Sequence, residues 1–168
     1  ADQGSAVLIV SKSEVFQSNW KKGTFGGSFL DDGRTVGLAP KLTTGEALRA
    51  GEVYLTSYTR LKDVKEFVNK NVVVIFDESH ALKNYDPENP NAAMTAQHGM
   101  EMADRARAVL FASATPADKP THLDYLYRTG IFEGQTRAEA MQGLGLKQFK
   151  LRIKNKQSGR DMTIYKWG

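Results

Sequence analysis

Short, continuously apolar segments recur along this chain, and longer stretches with helical spacing separate them. Apolar residues that run continuously, instead of alternating with polar ones, indicate strands that are covered on both faces, as in a parallel sheet flanked by helices. The sequence therefore predicts an α/β fold with a doubly wound parallel sheet. The five predicted strands are Val7–Val10, Thr35–Leu38, Val53–Tyr58, Val72–Phe76 and Ala108–Ala112.

The stretches between these strands predict helices. Within Arg60–Lys70, an apolar stripe is formed by Leu61, Val64, Phe67 and Val68, and the charged side chains face away from it. Such a stripe is typical of a helix that packs one side against a sheet. The predicted helices are Glu14–Lys21, Thr44–Ala50, Arg60–Lys70, Met94–Arg107 and Pro120–Thr129.

Composition excludes several classes of protein. With 40% hydrophobic residues in 168, the chain is long enough for one globular domain with its own core. It contains no Cys, which rules out disulfides, thiolate zinc sites and cysteine nucleophiles. No apolar run approaches the roughly 20 residues of a transmembrane helix, and the first residues lack the features of a signal peptide. We therefore expect a soluble protein with no membrane partner.

The positive charge is concentrated at the C-terminal end. The whole chain carries +4, whereas residues 145–168 contain seven basic residues and one acidic residue, or +6. Basic and apolar residues alternate there, which predicts a strand with one charged face, a turn at Ser158-Gly159 and a second strand over Met162–Tyr165. The basic residues of this extension are Lys150, Arg152, Lys154 and Lys156.

Two interpretations of this basic extension remain open. It could bind a nucleic-acid backbone, with Phe149, Tyr165 and Trp167 near enough to stack on bases. Alternatively, its lysines could protect an exposed strand edge from aggregation.

Two adjacent carboxylates, Asp77 and Glu78, follow the apolar strand in the string VVVIFDESHALKN. This position is the carboxyl edge of the predicted sheet, where open α/β sheets bind ligands. Neighbouring carboxylates repel each other unless a cation or a water network is present. In phosphoryl transfer, Asp77 would hold Mg²⁺ through its water shell and Glu78 would orient the attacking water. The alternative is a strand that ends in a solvated acidic turn.

A second apolar strand ends in the string ASATP, which contains Ser113, Ala114 and Thr115. By themselves these hydroxyl residues could cap a following helix. Together with DESH, 36 positions earlier, the string resembles the paired motifs II and III of superfamily 2 helicases and translocases. The resemblance implies a RecA-like fold, ATP and Mg²⁺ as cofactors, and a hydrogen bond from His80 toward Ser113 or Thr115 that couples hydrolysis to movement.

The resemblance extends to both sides of these motifs. Residues Ala6–Gly23 are similar to motif Ia and Glu52–Arg60 to motif Ib, in the form found in Snf2-like translocases. The segments AQHGMEMADRARAVLFASATPADKP and LDYLYRTGIFEG look most like strawberry notch-type proteins and related phage and plasmid helicase-like proteins. Motifs Ia and Ib imply contacts with nucleic-acid phosphates, although each could also be a capped strand-to-helix turn. The implied residues are Ser11, Lys12, Thr56, Ser57 and Tyr58.

The sequence has no phosphate-binding motif of the form G-x-x-x-x-G-K-[ST]. We therefore expect residues 1–134 to form most of a first motor lobe and residues 135–168 to form a basic extension. The phosphate-binding segment would lie upstream in the same parent protein, which would also supply a second RecA-like lobe. The chain alone is expected to be inactive.

These observations favour a fragment of a nucleic-acid-dependent ATPase, a helicase or translocase acting on DNA rather than RNA. The resemblance implies a cytoplasmic or nucleoid-associated protein, encoded by a phage or plasmid in related cases. One alternative is a non-catalytic RecA-like lobe that binds nucleic acid or serves as a scaffold. Another is a different Mg²⁺-dependent hydrolase that uses Asp77 and Glu78, which the lack of further clustered carboxylates or histidines nearby disfavours.

Overall fold

A computed structural model of the chain describes residues 4–13, 28–29, 35–36, 41–89, 91–129 and 134–168. The chain divides into two compact units. The sheet unit comprises Ala1–Glu78 and Glu101–Ala112, and the hairpin unit comprises Ser79–Met100 and Ser113–Gly168. The sequence predicted a single boundary after residue 134, which does not coincide with the division between these two units. That boundary stays a prediction.

A five-stranded parallel sheet forms the sheet unit. Its strands are β1 (Ala6–Ser11), β4 (Lys41–Leu42), β5 (Val53–Ser57), β6 (Val72–Asp77) and β7 (Ala108–Ala112). Their order across the sheet is β4-β5-β1-β6-β7. The central strands are apolar and buried, with Leu8, Val10 and Phe76 fully inaccessible to solvent. Helices flank this sheet, so the predicted α/β fold with a RecA-like arrangement is confirmed.

One face of the sheet is more exposed near its β7 edge than the continuous apolar pattern predicts. Ile75 of β6 lies opposite Leu110 of β7, and the two therefore share a face. Ile75 is half-buried and Leu110 is 55% exposed. On this face the described residues do not cover the apolar side chains of β6 and β7 completely.

The second predicted strand is wrong as a member of this sheet. Of Thr35–Leu38, the described residues Thr35–Val36 form β3, which pairs antiparallel with β2 (Ser28–Phe29) in a separate two-stranded sheet. The missing parallel strand is β4, which pairs with β5. Because β4 has only two residues, its apolar content was too small to predict it.

The predicted helix Thr44–Ala50 does not form. Gly45 has φ +127°, which no α-helix accommodates, and its N–H points to the Thr43 hydroxyl at 3.4 Å. This local turn replaces the first helical hydrogen bond. The predicted helix Glu14–Lys21 lies outside the described residues.

The predicted helix Arg60–Lys70 is broken into three short pieces. A 3₁₀ segment (Tyr58–Arg60), α1 (Leu61–Val64) and a second 3₁₀ segment (Lys65–Phe67) follow one another. The predicted apolar stripe is nevertheless buried at Leu61, Val64 and Val68, whereas Phe67 is half-buried. Packing of these side chains outweighs regular helix geometry, since β-branched and aromatic residues favour helices only weakly.

The remaining helices agree better with prediction. Helix α2 spans Met94–Arg105 and ends two residues early, because the Arg107 N–H donates to the Val72 carbonyl at 2.8 Å and joins the sheet. Pro120–Thr129 is helical as predicted but in the tighter 3₁₀ form. Sequence reasoning missed α3 (Arg137–Gly143). Within the described ranges, no helix has the length and apolar character needed to cross a membrane.

The predicted C-terminal hairpin is confirmed. Strands β8 (Gln148–Lys154) and β9 (Asp161–Trp167) pair antiparallel, with Gly159 at φ +67° in the turn. Ile164 of β9 is 1% exposed, so part of the hairpin is buried.

Candidate functional site

Asp77, the last residue of β6, is held from two sides in the sheet unit. The Ser11 hydroxyl, at the end of β1, donates to Asp77 Oδ2 at 2.7 Å. The Tyr58 hydroxyl, which follows β5, donates to the Asp77 carbonyl at 2.8 Å. Ser11 and Tyr58 are both buried, so the carboxyl ends of three neighbouring strands set the position of this carboxylate.

Aromatic packing supports this arrangement. The rings of Tyr58 and Phe76 stack at a centroid distance of 6.3 Å, and those of Phe76 and Phe111 at 5.4 Å. The stack runs from the segment after β5 through β6 to β7. It restrains Tyr58 beside Asp77, since buried aromatic rings in contact have little rotational freedom.

Glu78 adopts a backbone conformation that is rare for its residue type. Its φ of 51° lies in the left-handed region, and no other non-glycine residue of the described chain has a positive φ. Such a conformation costs on the order of 1–2 kcal/mol for a residue with a Cβ. Strain of this kind is found most often at functional sites. The turn ends the strand directly after Asp77, and both carboxylates stay half-buried.

The hydroxyl residues predicted to contact phosphates are mostly turned inward. Thr56 donates to the Thr43 carbonyl at 3.1 Å, and the hydroxyls of Ser57 and Thr59 lie 2.7 Å apart. Ser11, Thr56, Ser57 and Tyr58 are all buried, whereas Lys12 is half-buried. Their predicted role in nucleic-acid binding stays a prediction, and it would depend on backbone groups more than on these hydroxyls.

His80 and Ser113 come together in the hairpin unit. His80 Nδ1 lies 3.2 Å from the Ser113 hydroxyl, which is the contact that the resemblance implied. The same hydroxyl oxygen accepts the Thr115 N–H at 3.2 Å. Ala114 and Thr115 are exposed. The structure thus links the two motifs through one serine, and the coupling role of this link stays a prediction.

The basic extension presents one cationic face. Lys150, Arg152 and Lys154 alternate along β8 and are exposed, and Tyr165 lies opposite Lys150 with 43% of its surface accessible. Lys156 lies in the turn, where its N–H donates to Asn91 Oδ1.

The other two aromatic side chains that were predicted to stack on bases are not exposed on this face. Phe149 lies on the opposite face of the hairpin, across from Lys166. Trp167 lies on the same face as Tyr165, but it is buried, with 8% of its surface exposed. Only Tyr165 therefore combines exposure with the basic face.

An ion-pair cluster in the hairpin unit was missed at the sequence level. Arg137 donates to both carboxylate oxygens of Asp124, at 2.9 and 2.7 Å, and lies 3.2 Å from Glu88. Burial raises the pKa of Asp124, and the hydrogen bonds from Arg137 oppose that rise. The spacing T-x-x-E at Thr136 and Glu139 was the available signal, because this capping box starts the helix that carries Arg137.

Asp77 and Glu78 suit a Mg²⁺ ion that is held mainly by water and by substrate phosphates. The described residues contain no group of three or more acidic or histidine side chains placed to hold a metal ion. Mg²⁺ in nucleotide sites typically needs only one or two carboxylates, so the single carboxylate of Asp77 fits such an ion. A phosphate cradle is a separate requirement, and the sequence has no matching motif.

Comparison with known protein families gives a match. Residues 41–152, more than half of the chain, match the family described as P-loop containing NTP hydrolase pore-1. No curated protein and no solved structure matches. The parallel α/β sheet is consistent with a P-loop NTPase domain, and the match supports nucleotide binding and hydrolysis in general. The chain therefore belongs to the P-loop containing NTP hydrolase pore-1 family.

Proposed function

We propose that this chain is part of the first motor lobe of a superfamily 2 helicase or translocase, which couples Mg²⁺-ATP hydrolysis to movement along nucleic acid, with DNA favoured over RNA. The observation that carries the proposal is the fixed carboxylate of Asp77 beside Glu78, at the carboxyl end of β6. Family membership supports its coarser part, a nucleotide hydrolase domain.

Asp77 would bind the water shell of Mg²⁺. The Ser11 hydroxyl donates to Oδ2 of this carboxylate, and a hydroxyl orients the group without neutralising it. When bound, the ion would offset the negative charge of the ATP phosphates. A carboxylate held in one orientation loses little entropy on binding, so the buried Ser11 and Tyr58 contacts would favour this role.

Glu78 would act on the attacking water. Its left-handed backbone places it at a turn immediately after the strand, where a side chain is not confined to the alternating pattern of the sheet. A carboxylate in this position can accept a proton from water as a general base, a contribution of about 10²–10⁴ in rate. His80, Ser113 and Thr115 would couple the hydrolysis step to movement.

The open β7 edge supports the proposed phosphate-binding segment. Phosphate-binding loops connect a strand to a helix. A strand from such a segment would pair with the edge strand β7, and its helix would cover the exposed face around Leu110 and Ile75. The added segment would therefore cover the exposed apolar surface and also supply the phosphate-binding loop.

The test is Glu78→Gln in the protein that carries this chain and the expected phosphate-binding segment. We expect ATP hydrolysis stimulated by nucleic acid to fall by at least 10²-fold, while binding of a fluorescent ATP analogue stays within a factor of two or so of the parent protein. Glu46→Gln, an exposed glutamate on the same unit, is the matched control and should retain activity. Retained hydrolysis in Glu78→Gln would contradict the assignment of the base.

A non-catalytic nucleic-acid-binding lobe is the second candidate, and the basic face of β8 favours it. Replacing Lys150, Arg152 and Lys154 by glutamine should weaken DNA binding and lower the salt dependence of log K by roughly 0.7–0.9 for each phosphate that the protein no longer neutralises. If DNA binding responds in this way while the protein that carries the expected phosphate-binding segment neither binds nor hydrolyses Mg²⁺-ATP, the second candidate is the better one.

A further inference from the structure

We infer that the hairpin unit holds a second ligand site, a cavity that binds one nucleotide, meaning an aromatic base that carries a phosphate. None of the residues assigned above to hydrolysis lines this cavity. The inference goes beyond the proposed function and does not depend on it.

The cavity has a volume of about 310 Å³, which is at the lower end of the range for small-molecule sites. It is built from separate parts of the hairpin unit: the loop after the Ser79–Leu82 segment, the Pro120–Thr129 helix, the start of α3 and the end of β9. Its size suits a single nucleotide unit and not a folded partner.

Cationic side chains dominate the lining. With His122 neutral, the charged side chains of the lining sum to +2. They are four cations, Lys83, Lys119, Arg137 and Lys166, and two carboxylates, Asp86 and Asp124. Lys83 is ion-paired with Asp118. Across the described ranges, no salt bridge engages Lys119 or Lys166, and both are exposed. Two ammonium groups that lack carboxylate partners favour an anionic ligand such as a phosphate.

The state of His122 is consistent with a positive potential in the cavity. Burial, and then the charges of Lys119 and Lys83, lower the pKa of His122, while Asp118 acts in the opposite direction. His122 Nδ1 accepts the Asp118 N–H at 3.4 Å, so the neutral ring carries its proton on Nε2. A neutral imidazole among lysines can donate to a ligand oxygen without adding charge.

The aromatic part of the lining favours a base next to that phosphate. Trp167 is 8% exposed, and its Nε1–H is buried with no hydrogen-bond acceptor in the described part of the chain. A buried donor left without an acceptor is disfavoured, so a ligand acceptor would stabilise this wall. Tyr85 also lines the cavity, and aromatic side chains offer surfaces on which bases of any sequence can stack.

The acidic residues of the wall do not cancel this preference. Asp124 is bound on both oxygens by Arg137, which also approaches Glu88 at 3.2 Å. These charges are engaged with each other. The second carboxylate of the lining is Asp86, which accepts the Glu88 N–H at 3.1 Å. Lys119 and Lys166 carry two positive charges against its one, so a ligand meets a net positive charge.

The test uses the fluorescence of Trp167 in a Trp20→Phe background, where it is the single tryptophan. The probes are adenosine monophosphate, a single-stranded oligodeoxynucleotide, adenosine, inorganic phosphate and a phosphoserine peptide. We expect saturable quenching by adenosine monophosphate or by the oligonucleotide, at least tenfold weaker binding in Lys119→Gln/Lys166→Gln, and no change in the matched control Lys62→Gln/Lys147→Gln. Binding should survive Glu78→Gln, which separates this site from the proposed hydrolase site.

Each outcome decides the inference. Binding of adenosine monophosphate identifies a free nucleotide as the ligand, and binding of the oligonucleotide alone identifies a nucleotide within a single strand. Equal binding of inorganic phosphate or of the phosphopeptide would overturn the requirement for a base. Quenching that is absent, or that the Lys119/Lys166 variant leaves unchanged, would overturn the site.

Discussion

Replacing Arg137 by leucine should strongly destabilise the hairpin unit. Arg137 donates two hydrogen bonds to Asp124, and the two side chains are only 17% and 4% exposed. Leucine fills much of the same space but donates nothing. The substitution therefore leaves the Asp124 carboxylate buried without its cation.

The structure sets the size of this loss. Removing one partner of a buried ion pair typically costs about 3–5 kcal/mol. Asp124 can limit the loss by taking up a proton, which at pH 7 costs about 4 kcal/mol for a carboxyl with a reference pKa near 3.9. We therefore expect a loss of about 3–4 kcal/mol in unfolding free energy at pH 7. This is a large part of the stability of an ordinary domain.

The loss should depend on pH. Burial raises the pKa of Asp124, and Arg137 opposes the rise, so the substitution lifts the pKa of the folded state further above that of the unfolded state. When the pKa of a carboxyl is higher in the folded than in the unfolded state, folding takes up a proton at any pH between these two pKa values. The contribution of the group to stability therefore falls as pH rises from the unfolded pKa to the folded pKa. The deficit of the variant should therefore shrink as pH is lowered from 7 to 5.

Urea unfolding in the Trp20→Phe background, followed by Trp167 fluorescence at pH 7 and pH 5, measures both effects. Arg60→Leu is the control, since Arg60 is exposed and lies 3.9 Å from Asp63, and its loss should be small. The double variant Asp124→Leu/Arg137→Leu should be more stable than Arg137→Leu alone, because it removes the buried charge. A deficit that is equal at both pH values, or a double variant no more stable than the single one, would refute the reasoning.

Three further changes have defined outcomes. In the protein that carries the expected phosphate-binding segment, Ser11→Ala removes the 2.7 Å hydrogen bond to Asp77 and should lower Mg²⁺-dependent ATP hydrolysis about tenfold, with recovery in Ser11→Thr; an unchanged rate would argue against positioning by Ser11. Ile164→Ala should cost about 2–5 kcal/mol in urea unfolding, whereas Leu151→Ala, on the 42% exposed side chain opposite, should cost far less. Thr136→Ala removes the capping box of α3 and should cost about 1 kcal/mol, and no loss would show that the cap is dispensable.

The parallel sheet could be predicted because its strands are read from local composition. Continuous apolar runs identify β1, β5, β6 and β7, since a strand covered by helices needs apolar residues on both faces. The strand β4 was missed because backbone pairing with β5, not its own side chains, defines it. The predicted helix at Thr44–Ala50 failed because one glycine with a positive φ outweighs the helical spacing around it.

The carboxylates of the proposed hydrolase site could be predicted from the sequence, whereas the residues that hold them in place could not. Asp77 and Glu78 stand next to each other at the end of an apolar strand, and that alone predicts paired carboxylates at a sheet edge. The hydroxyl that holds Asp77 comes from Ser11, 66 positions away, and the bond to its carbonyl comes from Tyr58. Only the parallel pairing of β5 and β6 with β1 brings these groups together.

In the hairpin unit, too, some features could be predicted from local sequence and others depend on long-range packing. Alternation along β8 is a local property, so the basic face and the turn could be predicted from residue order. The burial of Trp167, the pairing of Arg137 with Asp124 and the cavity lined by Lys119 and Lys166 depend on segments far apart in the chain. Residue order determines which groups a strand or helix carries, and packing between distant segments decides which of them become buried, paired or open to a ligand.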